Sequence, residues 1–132
     1  MYLLDTNICT YLIKKHPPKV LERLTSCSPD EVALSTVTVS ELAYGVSKSR
    51  AHRQNAEALQ MFLAPFQVLS YSAEAAFVYG DIRAVLERKG TPIGAMDLLI
   101  AAHAKALGAT LVSNNLREFR RVPGLETENW AR

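Results

Sequence analysis

The sequence has none of the long patterns that mark membrane, secreted or nucleotide-binding proteins. No apolar run approaches the roughly 18 residues of a membrane-spanning helix. The N-terminus lacks the charged and long apolar regions of a signal peptide. The six glycines are scattered, and no G-x-x-x-x-G-K phosphate loop occurs among them. These absences predict a cytoplasmic protein that has no contact with a membrane and no P-loop.

Residues that form disulfides or bind zinc are scarce. The two cysteines, Cys9 and Cys27, are expected to be small buried residues in a reducing compartment, with a disulfide or zinc pair as the alternative. The histidines His16, His52 and His103 show no metal-ligand spacing with either cysteine. A zinc site is therefore not expected, and His103, among small apolar residues, is predicted to be structural.

The composition that remains is ordinary for a globular protein. The chain has 132 residues, of which 48% are hydrophobic and 21% charged, with a formal net charge of +2. No repeat, linker or low-complexity tract divides it, so a single domain over residues 1–132 is predicted. The small positive charge permits a nucleic-acid partner without predicting one.

Short apolar runs alternate with longer amphipathic ones, which predicts an α/β fold whose parallel sheet is covered on both faces. The predicted strands are Tyr2–Leu4, Val32–Leu34, Phe66–Leu69, Thr110–Val112 and a short last one at Leu125–Thr127. The predicted helices are Asn7–Lys15, Lys19–Cys27, Val37–Lys48, Ala51–Phe62, one capped by Ser72 that runs through Lys89, and Gly94–Leu107. Such sheets bind ligands beyond the carboxyl ends of the strands, where the strand order reverses.

Three acidic residues lie in apolar surroundings, where carboxylates are rare unless they are paired or bind a cation. Asp5 ends an apolar strand, Glu41 interrupts an apolar helix, and Asp97 begins an apolar helical run. Each also has an ordinary interpretation. Asp5 can be a helix N-cap, although Thr6 or Asn7 would also serve, Asp97 can be a first-turn anion, and Glu41 can be solvated.

Together these acids favour a metal site at one rim of the sheet. Two carboxylates about 4 Å apart repel by roughly 4 kcal/mol at an effective dielectric of about 20. Three of them therefore need a cation, or a proton on one of them. Carboxylate oxygens select Mg²⁺ or Mn²⁺. Such an ion lowers the pKa of a water that attacks phosphorus, so the acids predict phosphodiester hydrolysis.

The stretch after the fourth strand adds further charged candidates. Glu118 lies in a polar stretch, and its simpler interpretation is a surface acid among arginines. Arg117, Arg120 and Arg121 follow the proposed rim and are candidates for binding an RNA backbone, with a solvated charged face as the alternative.

Four segments, taken together, resemble the PIN-domain ribonucleases and most closely the VapC toxins of type II toxin–antitoxin systems. They occur in the family's order: Leu3–Cys9, Ser35–Gly45, Pro92–Asp97 and Ser113–Phe119. The resemblance implies one PIN-like domain, an α/β/α sandwich with a central parallel sheet of about four or five strands. It also implies an endoribonuclease that depends on Mg²⁺, for which Mn²⁺ can substitute, and that leaves 5′-phosphate and 3′-hydroxyl ends.

The resemblance also assigns roles to individual residues. Asp5 and Asp97 match the family's principal metal ligands, and Glu41 matches a further acid that binds the metal or positions the attacking water. Many PIN domains have an aspartate where this chain has Asn115, and Glu118 is expected to take its place. The number of metal ions therefore stays open.

Two hydroxyl residues, Thr6 and Ser113, are expected as further contacts in the site. The partners that the resemblance implies are a second copy of the chain and a VapB-like antitoxin. The antitoxin's tail would block the site, and operator DNA would be bound only through the antitoxin. Similarity to enteric-type members suggests a tRNA substrate, cut in the anticodon stem-loop of initiator tRNA.

Two alternatives remain open at this point. The absence of an acid at Asn115 is compatible with a catalytically impaired PIN-like module that binds RNA or a partner without cutting. A metal-dependent DNase or phosphatase is the other alternative, and substrate tests separate it from an RNase.

Overall fold

Five parallel strands form the centre of the structure, a computed structural model that describes residues 1–132. The strands are β1 (Tyr2–Leu4), β2 (Val32–Ser35), β3 (Gln67–Leu69), β4 (Thr110–Val112) and β5 (Thr127–Glu128). Their order across the sheet is β3-β2-β1-β4-β5. In register, Leu3 of β1 lies beside Ala33 of β2 on one side and Leu111 of β4 on the other.

Seven helices cover the sheet. They are α1 (Thr6–Lys14), α2 (Pro18–Thr25), α3 (Thr36–Lys48), α4 (His52–Leu63), α5 (Ala73–Arg88), α6 (Ala95–Leu107) and α7 (Leu116–Phe119), with a 3₁₀ turn at Pro29–Glu31. Side chains of Asp5, Ser35 and Ser72 cap α1, α3 and α5, and Gly108 ends α6 with a φ of 67°, where glycine is unstrained. None of the helices combines the length and apolar character that crossing a membrane requires.

Alternate side chains of the strands enter two separate cores. Leu3 and Leu111 belong to a cluster of 14 buried residues that packs against α5, α6 and α7. The next residues, Leu4 and Val112, belong to a cluster of 9 that packs against α1 and α2. Each central strand is therefore buried on both faces, as a parallel sheet between helical layers requires. The predicted α/β fold with a covered parallel sheet is confirmed.

The connections between strands create a crevice at one edge of the sheet. From β1 the chain proceeds outward to β2 and β3, and then returns to the opposite side of β1 for β4 and β5. The direction of winding thus reverses between β1 and β4. The carboxyl ends of these two strands, followed by Asp5 and Ser113, face the crevice where such sheets bind ligands.

Most predicted element boundaries agree with the structure within one or two residues, but two features differ. The last strand is Thr127–Glu128 and not Leu125–Thr127, because Thr127 pairs with Leu111 while Leu125 packs against the apolar core. The polar stretch after β4 was not predicted to be helical, yet it forms α7, whose Phe119 is fully buried.

Candidate active site

Asp5 lies buried at the carboxyl end of β1 and has two structural partners. Its Oδ1 accepts a hydrogen bond from the backbone N–H of Ile8 at 2.9 Å, so Asp5 is the N-cap of α1, and Ser113 lies beside its side chain. Burial raises the pKa of the Asp5 carboxyl, and the charge of Glu41 raises it further, whereas the proximity of Ser113 and the bond from Ile8 lower it. The N-cap interpretation is correct, and it coexists with a place in an acidic cluster.

Glu41 lies in the second turn of α3 and faces α1. Thr6, the first residue of α1, donates its hydroxyl hydrogen to Glu41 Oε1. Because Thr6 follows Asp5 directly, this bond holds the Glu41 carboxylate next to the carboxyl end of β1. Thr6 and Ser113, the two hydroxyl residues expected in the site, thus each contact one of its acids.

A buried histidine ties together the helices that carry Glu41 and Asp97. The Nδ1 atom of His103 on α6 lies 2.8 Å from Oγ of Ser35, which also accepts the N–H of Val37 at the start of α3. A Ser35 hydroxyl that accepts from Val37 and donates to a neutral imidazole satisfies all three groups. Burial lowers the pKa of His103, which favours the neutral ring. The prediction that His103 is structural is confirmed.

Asp97, in the first turn of α6, completes the cluster together with Glu118 of α7. The two carboxyl groups lie next to each other. Burial, the proximity of Glu118 and the negative charges of Glu118, Asp5 and Glu41 raise the pKa of Asp97 to about 7. Asp97 therefore interacts with the other three acids at the crevice, and the structure brings together the three acids singled out from the sequence.

The donor set suits a hard divalent cation. Carboxylate oxygens are the ligands that Mg²⁺ and Mn²⁺ prefer. The negative charges of Glu118, Asp5 and Glu41 raise the pKa of Asp97, and a bound cation would relieve this repulsion. As the side chains lie, no three ligands surround one ion position. The acids are close enough to repel one another, but a bound Mg²⁺ needs its oxygen ligands at roughly 2.0–2.1 Å. Side-chain rotations would therefore have to bring the carboxylates around the ion.

The remaining predicted residues lie around this cluster with different surroundings. Asn115 donates its backbone N–H to Ser113 Oγ at 2.8 Å and borders a polar cleft, into which Arg117 and Arg120 also project. Arg121 is engaged elsewhere, because its Nη1 donates to the carbonyl oxygen of Pro92 at 2.9 Å. Arg121 thus links the segment after α7 to the loop before α6.

Sequence reasoning underrated one residue and missed others. Glu118 is half-buried and its carboxyl lies beside Asp97; only the family pattern pointed to this position. Asn129 and Arg132, which border the same polar cleft as Arg117, were not singled out. No local pattern marks them, because the C-terminal segment reaches the cleft only through the pairing of β5 with β4.

With this geometry established, similarity to known proteins decides the family. Residues 2–125 match the family described as PIN domain. The chain belongs to the PIN-domain family. It is 47% identical over 131 residues to "Ribonuclease VapC2" of Rickettsia felis, with 98% of each chain covered. It is 43% identical over 129 residues to the "tRNA(fMet)-specific endonuclease VapC" of Salmonella typhimurium, with 98% of this chain and 97% of that PIN protein covered.

Solved structures agree with this PIN-domain assignment. The crystal structure of VapBC2 from Rickettsia felis bound to a DNA fragment from their promoter superimposes with a TM-score of 0.92 at 46% identity, covering 98% of each chain. DNA-bound VapBC from Salmonella typhimurium gives a TM-score of 0.92 at 43% identity, covering 98% of this chain and 97% of that one. The predicted PIN fold, the resemblance to VapC proteins and the assignment as a nuclease enzyme are confirmed.

Proposed function

We propose that this PIN domain is a Mg²⁺- or Mn²⁺-dependent endoribonuclease that cleaves tRNA and acts as the toxin of a toxin–antitoxin pair. The observation that carries the proposal is the convergence of four carboxyl groups, Asp5, Glu41, Asp97 and Glu118, at the crevice between β1 and β4. The RNA substrate is supported by the names of the relatives, one of which is called specific for tRNA(fMet).

Each acid has a distinct part in this proposal. Asp5 and Asp97 would hold the cation, and Glu41, oriented by Thr6, would be a further ligand or would position the attacking water. When bound, the cation supplies a water of lowered pKa and neutralises charge on the phosphate oxygens. Glu118, beside Asp97, would accept a proton from the attacking water or bind the cation.

Cleavage of defined RNAs by the purified protein tests this function. Initiator tRNA, a second tRNA, an unstructured RNA and a DNA strand of matched sequence would be incubated with Mg²⁺, with Mn²⁺ and with a chelator. We expect cleavage of tRNA that requires the metal, with 5′-phosphate ends, and no cleavage of the DNA. Asp97→Asn should abolish cleavage, whereas Asp81→Asn, on the exposed face of α5, should leave it intact. Full activity of Asp97→Asn would remove the proposal.

A non-catalytic binding module is the second candidate, and one feature favours it. Asn115 stands where many PIN domains have a fourth acid, and the side chains do not surround a ready-made ion position. If this candidate is correct, the protein will bind RNA or a partner, but no RNA will be cut and added Mn²⁺ will not raise the melting temperature.

The partner in the proposal is a VapB-like antitoxin. The structural relatives from Rickettsia felis and Salmonella typhimurium are VapBC complexes bound to DNA. We propose that this chain forms a homodimer in the cytoplasm, is inhibited by such an antitoxin, and contacts operator DNA only through the antitoxin. Co-purification with the product of an adjacent short reading frame, followed by a mass measurement in solution and a cleavage assay, tests each of these points.

A further inference from the structure

A polar cleft lies beside the acidic cluster, on the other side of α7. Its volume is about 430 Å³, and three arginines, three asparagines and one leucine line it. The arginines are Arg117 of α7, Arg120 directly after this helix, and Arg132, the last residue. No acidic side chain lines the cleft, so the charged side chains around it are all positive, in contrast to the adjacent acidic cluster.

The three guanidinium groups of this arginine cleft are free to bind an anion. The ion pairs of the structure are Arg23–Glu128, Arg53–Glu57 and Arg83–Glu87, and none includes an arginine of the cleft. The cleft arginines are exposed and make no side-chain hydrogen bond within the protein. Three like charges around one cleft repel one another, and an anion with several oxygens removes that repulsion.

The floor of the arginine cleft is fixed by hydrogen bonds between distant segments. Asn114 donates to the hydroxyl of Tyr11 on α1 at 2.8 Å, and Asn129 donates to the side-chain oxygen of Asn114 at 3.4 Å. The N–H of Ala131 in turn donates to Asn129 Oδ1 at 2.8 Å, which orders the backbone just before Arg132. The cleft is thus held in place before a ligand arrives, and pre-organisation of this kind favours binding.

A single short helix connects the arginine cleft to the acidic cluster. Within α7, Glu118 meets Asp97, while Arg117, its neighbour in sequence, faces the cleft. Four helical residues span about 6 Å at 1.5 Å per residue, so the cleft lies within reach of the phosphates that flank one bound at the acids. Buried Phe119 anchors the helix between the two sites.

We propose that the arginine cleft is a second RNA subsite, which binds backbone phosphates next to the bond cut at the acidic cluster. This inference rests on the proposed ribonuclease function. Arginine and asparagine side chains suit phosphate and sugar oxygens. No aromatic ring lines the cleft on which a base could stack, so the subsite binds the strand without reading its sequence. Any preference for one RNA must then arise elsewhere on the protein.

The salt dependence of RNA binding tests the subsite directly. The variant R117Q/R120Q/R132Q would be made in an Asp97→Asn background, which prevents cleavage, and binding of a fluorescent single-stranded RNA would be followed by anisotropy over a salt series. Each phosphate contact contributes about 0.7 to the slope of log affinity against log salt for a single strand. The triple variant should therefore lose about 2 from that slope, roughly a 100-fold change in relative affinity per tenfold change in salt.

A matched arginine serves as the control. Arg88 is exposed in the last turn of α5 and does not line the cleft, so Arg88→Gln should leave the slope unchanged. Circular dichroism and the melting temperature check that all variants fold. An unchanged slope in the folded triple variant overturns the inference. Weaker binding of the antitoxin with an unchanged RNA slope also overturns it, since the cleft would then be a protein surface.

Cleavage assays separate this inference from the proposed function. These assays use protein in which all four acids are intact. The ratio of cleavage efficiency on a long RNA to that on a trinucleotide should be lower for the triple variant than for the unmodified protein. We expect the loss to appear as a higher KM for the long RNA. If the unmodified protein cuts neither substrate, the nuclease proposal fails, while the slope measurement still decides whether the cleft binds RNA. An unchanged ratio of long to short cleavage overturns the subsite.

Discussion

At the scale of single residues, Asp97 is held near the midpoint of its titration at neutral pH. Burial and the acids around it raise its pKa from 3.8 to about 7. Between these values the folded protein binds a proton that the unfolded chain has released. The free energy of unfolding of the metal-free protein must therefore decrease as the pH rises through this window. The raised pKa of Asp5 acts in the same direction, whereas the lowered pKa of buried His103 opposes both, and we expect the two acids to outweigh the one histidine.

We predict that the melting temperature of the metal-free protein decreases between pH 5 and pH 8, and that Asp97→Asn makes this decrease smaller. The amide of asparagine does not ionise, so the repulsion from Glu118, Asp5 and Glu41 no longer develops. Melting curves in the presence of a chelator measure the effect. Asp81→Asn on the exposed face of α5 is the control and should keep the full decrease. An equal decrease in the Asp97→Asn protein would contradict this prediction.

A second residue, Thr38, is buried in α3 with a hydroxyl that has no hydrogen-bond partner. A buried polar group without a partner costs about 1–3 kcal/mol. We predict that Thr38→Val, which keeps the branched shape and removes the hydroxyl, raises the free energy of unfolding by about 1 kcal/mol. Urea denaturation measures this change. A loss of stability would show that the hydroxyl has a partner, such as a buried water.

At the scale of elements, the site depends on how α3 and α6 are fixed to each other. Ser35 caps α3 and contacts His103 of α6, and the ring of Tyr71 packs edge-on against His103 with centroids 5.6 Å apart. These contacts set the relative position of the helices that carry Glu41 and Asp97.

We predict that Ser35→Ala lowers the free energy of unfolding by about 1–2 kcal/mol, because it removes the cap of α3 and leaves the His103 nitrogen without a partner. Ser40→Ala on the exposed side of the same helix should change it by less than about 0.5 kcal/mol. Urea denaturation of both variants checks the prediction, and equal effects at the two positions would contradict it.

The elements also show what the sequence can and cannot predict. β1 and β4 were predicted with their observed bounds, because each is a short apolar run buried on both faces. α7 was missed because its one buried residue, Phe119, stands in a polar stretch, where no periodic pattern indicates a helix. The positions of Asp5, Glu41 and Asp97 in apolar runs indicated the site. The contact between Glu118 and Asp97 depends on tertiary packing that no local pattern contains.

At the scale of the whole molecule, the acidic crevice sets negative charges against one another within an otherwise well-packed protein. In the folded chain Asp5, Glu41, Asp97 and Glu118 interact, while in the unfolded chain they are far apart along the sequence. A cation that binds only the folded form stabilises it by RT ln(1 + [L]/Kd).

We predict that Mn²⁺ stabilises the whole fold, by about 2.7 kcal/mol at a concentration 100-fold above its Kd. The melting temperature should rise with Mn²⁺ in the unmodified protein and much less in Asp5→Asn. In the presence of a chelator, Asp97→Asn should be at least as stable as the unmodified protein, because it removes one of the repelling charges. A melting temperature that does not respond to Mn²⁺ would exclude a metal site at the crevice.

Because α7 lies between two oppositely charged sites, we expect cation binding and RNA binding to influence each other. The helix contributes residues to both the acidic cluster and the arginine cleft. A movement of the helix when one site is occupied therefore changes the geometry of the other. Energetic coupling between two binding equilibria is reciprocal. If the bound cation raises the affinity for RNA by some factor, bound RNA raises the affinity for the cation by the same factor. We expect the metal-free protein to bind RNA weakly and the metal-bound protein to bind it tightly. The metal-free protein would then not sequester transcripts that it cannot cut.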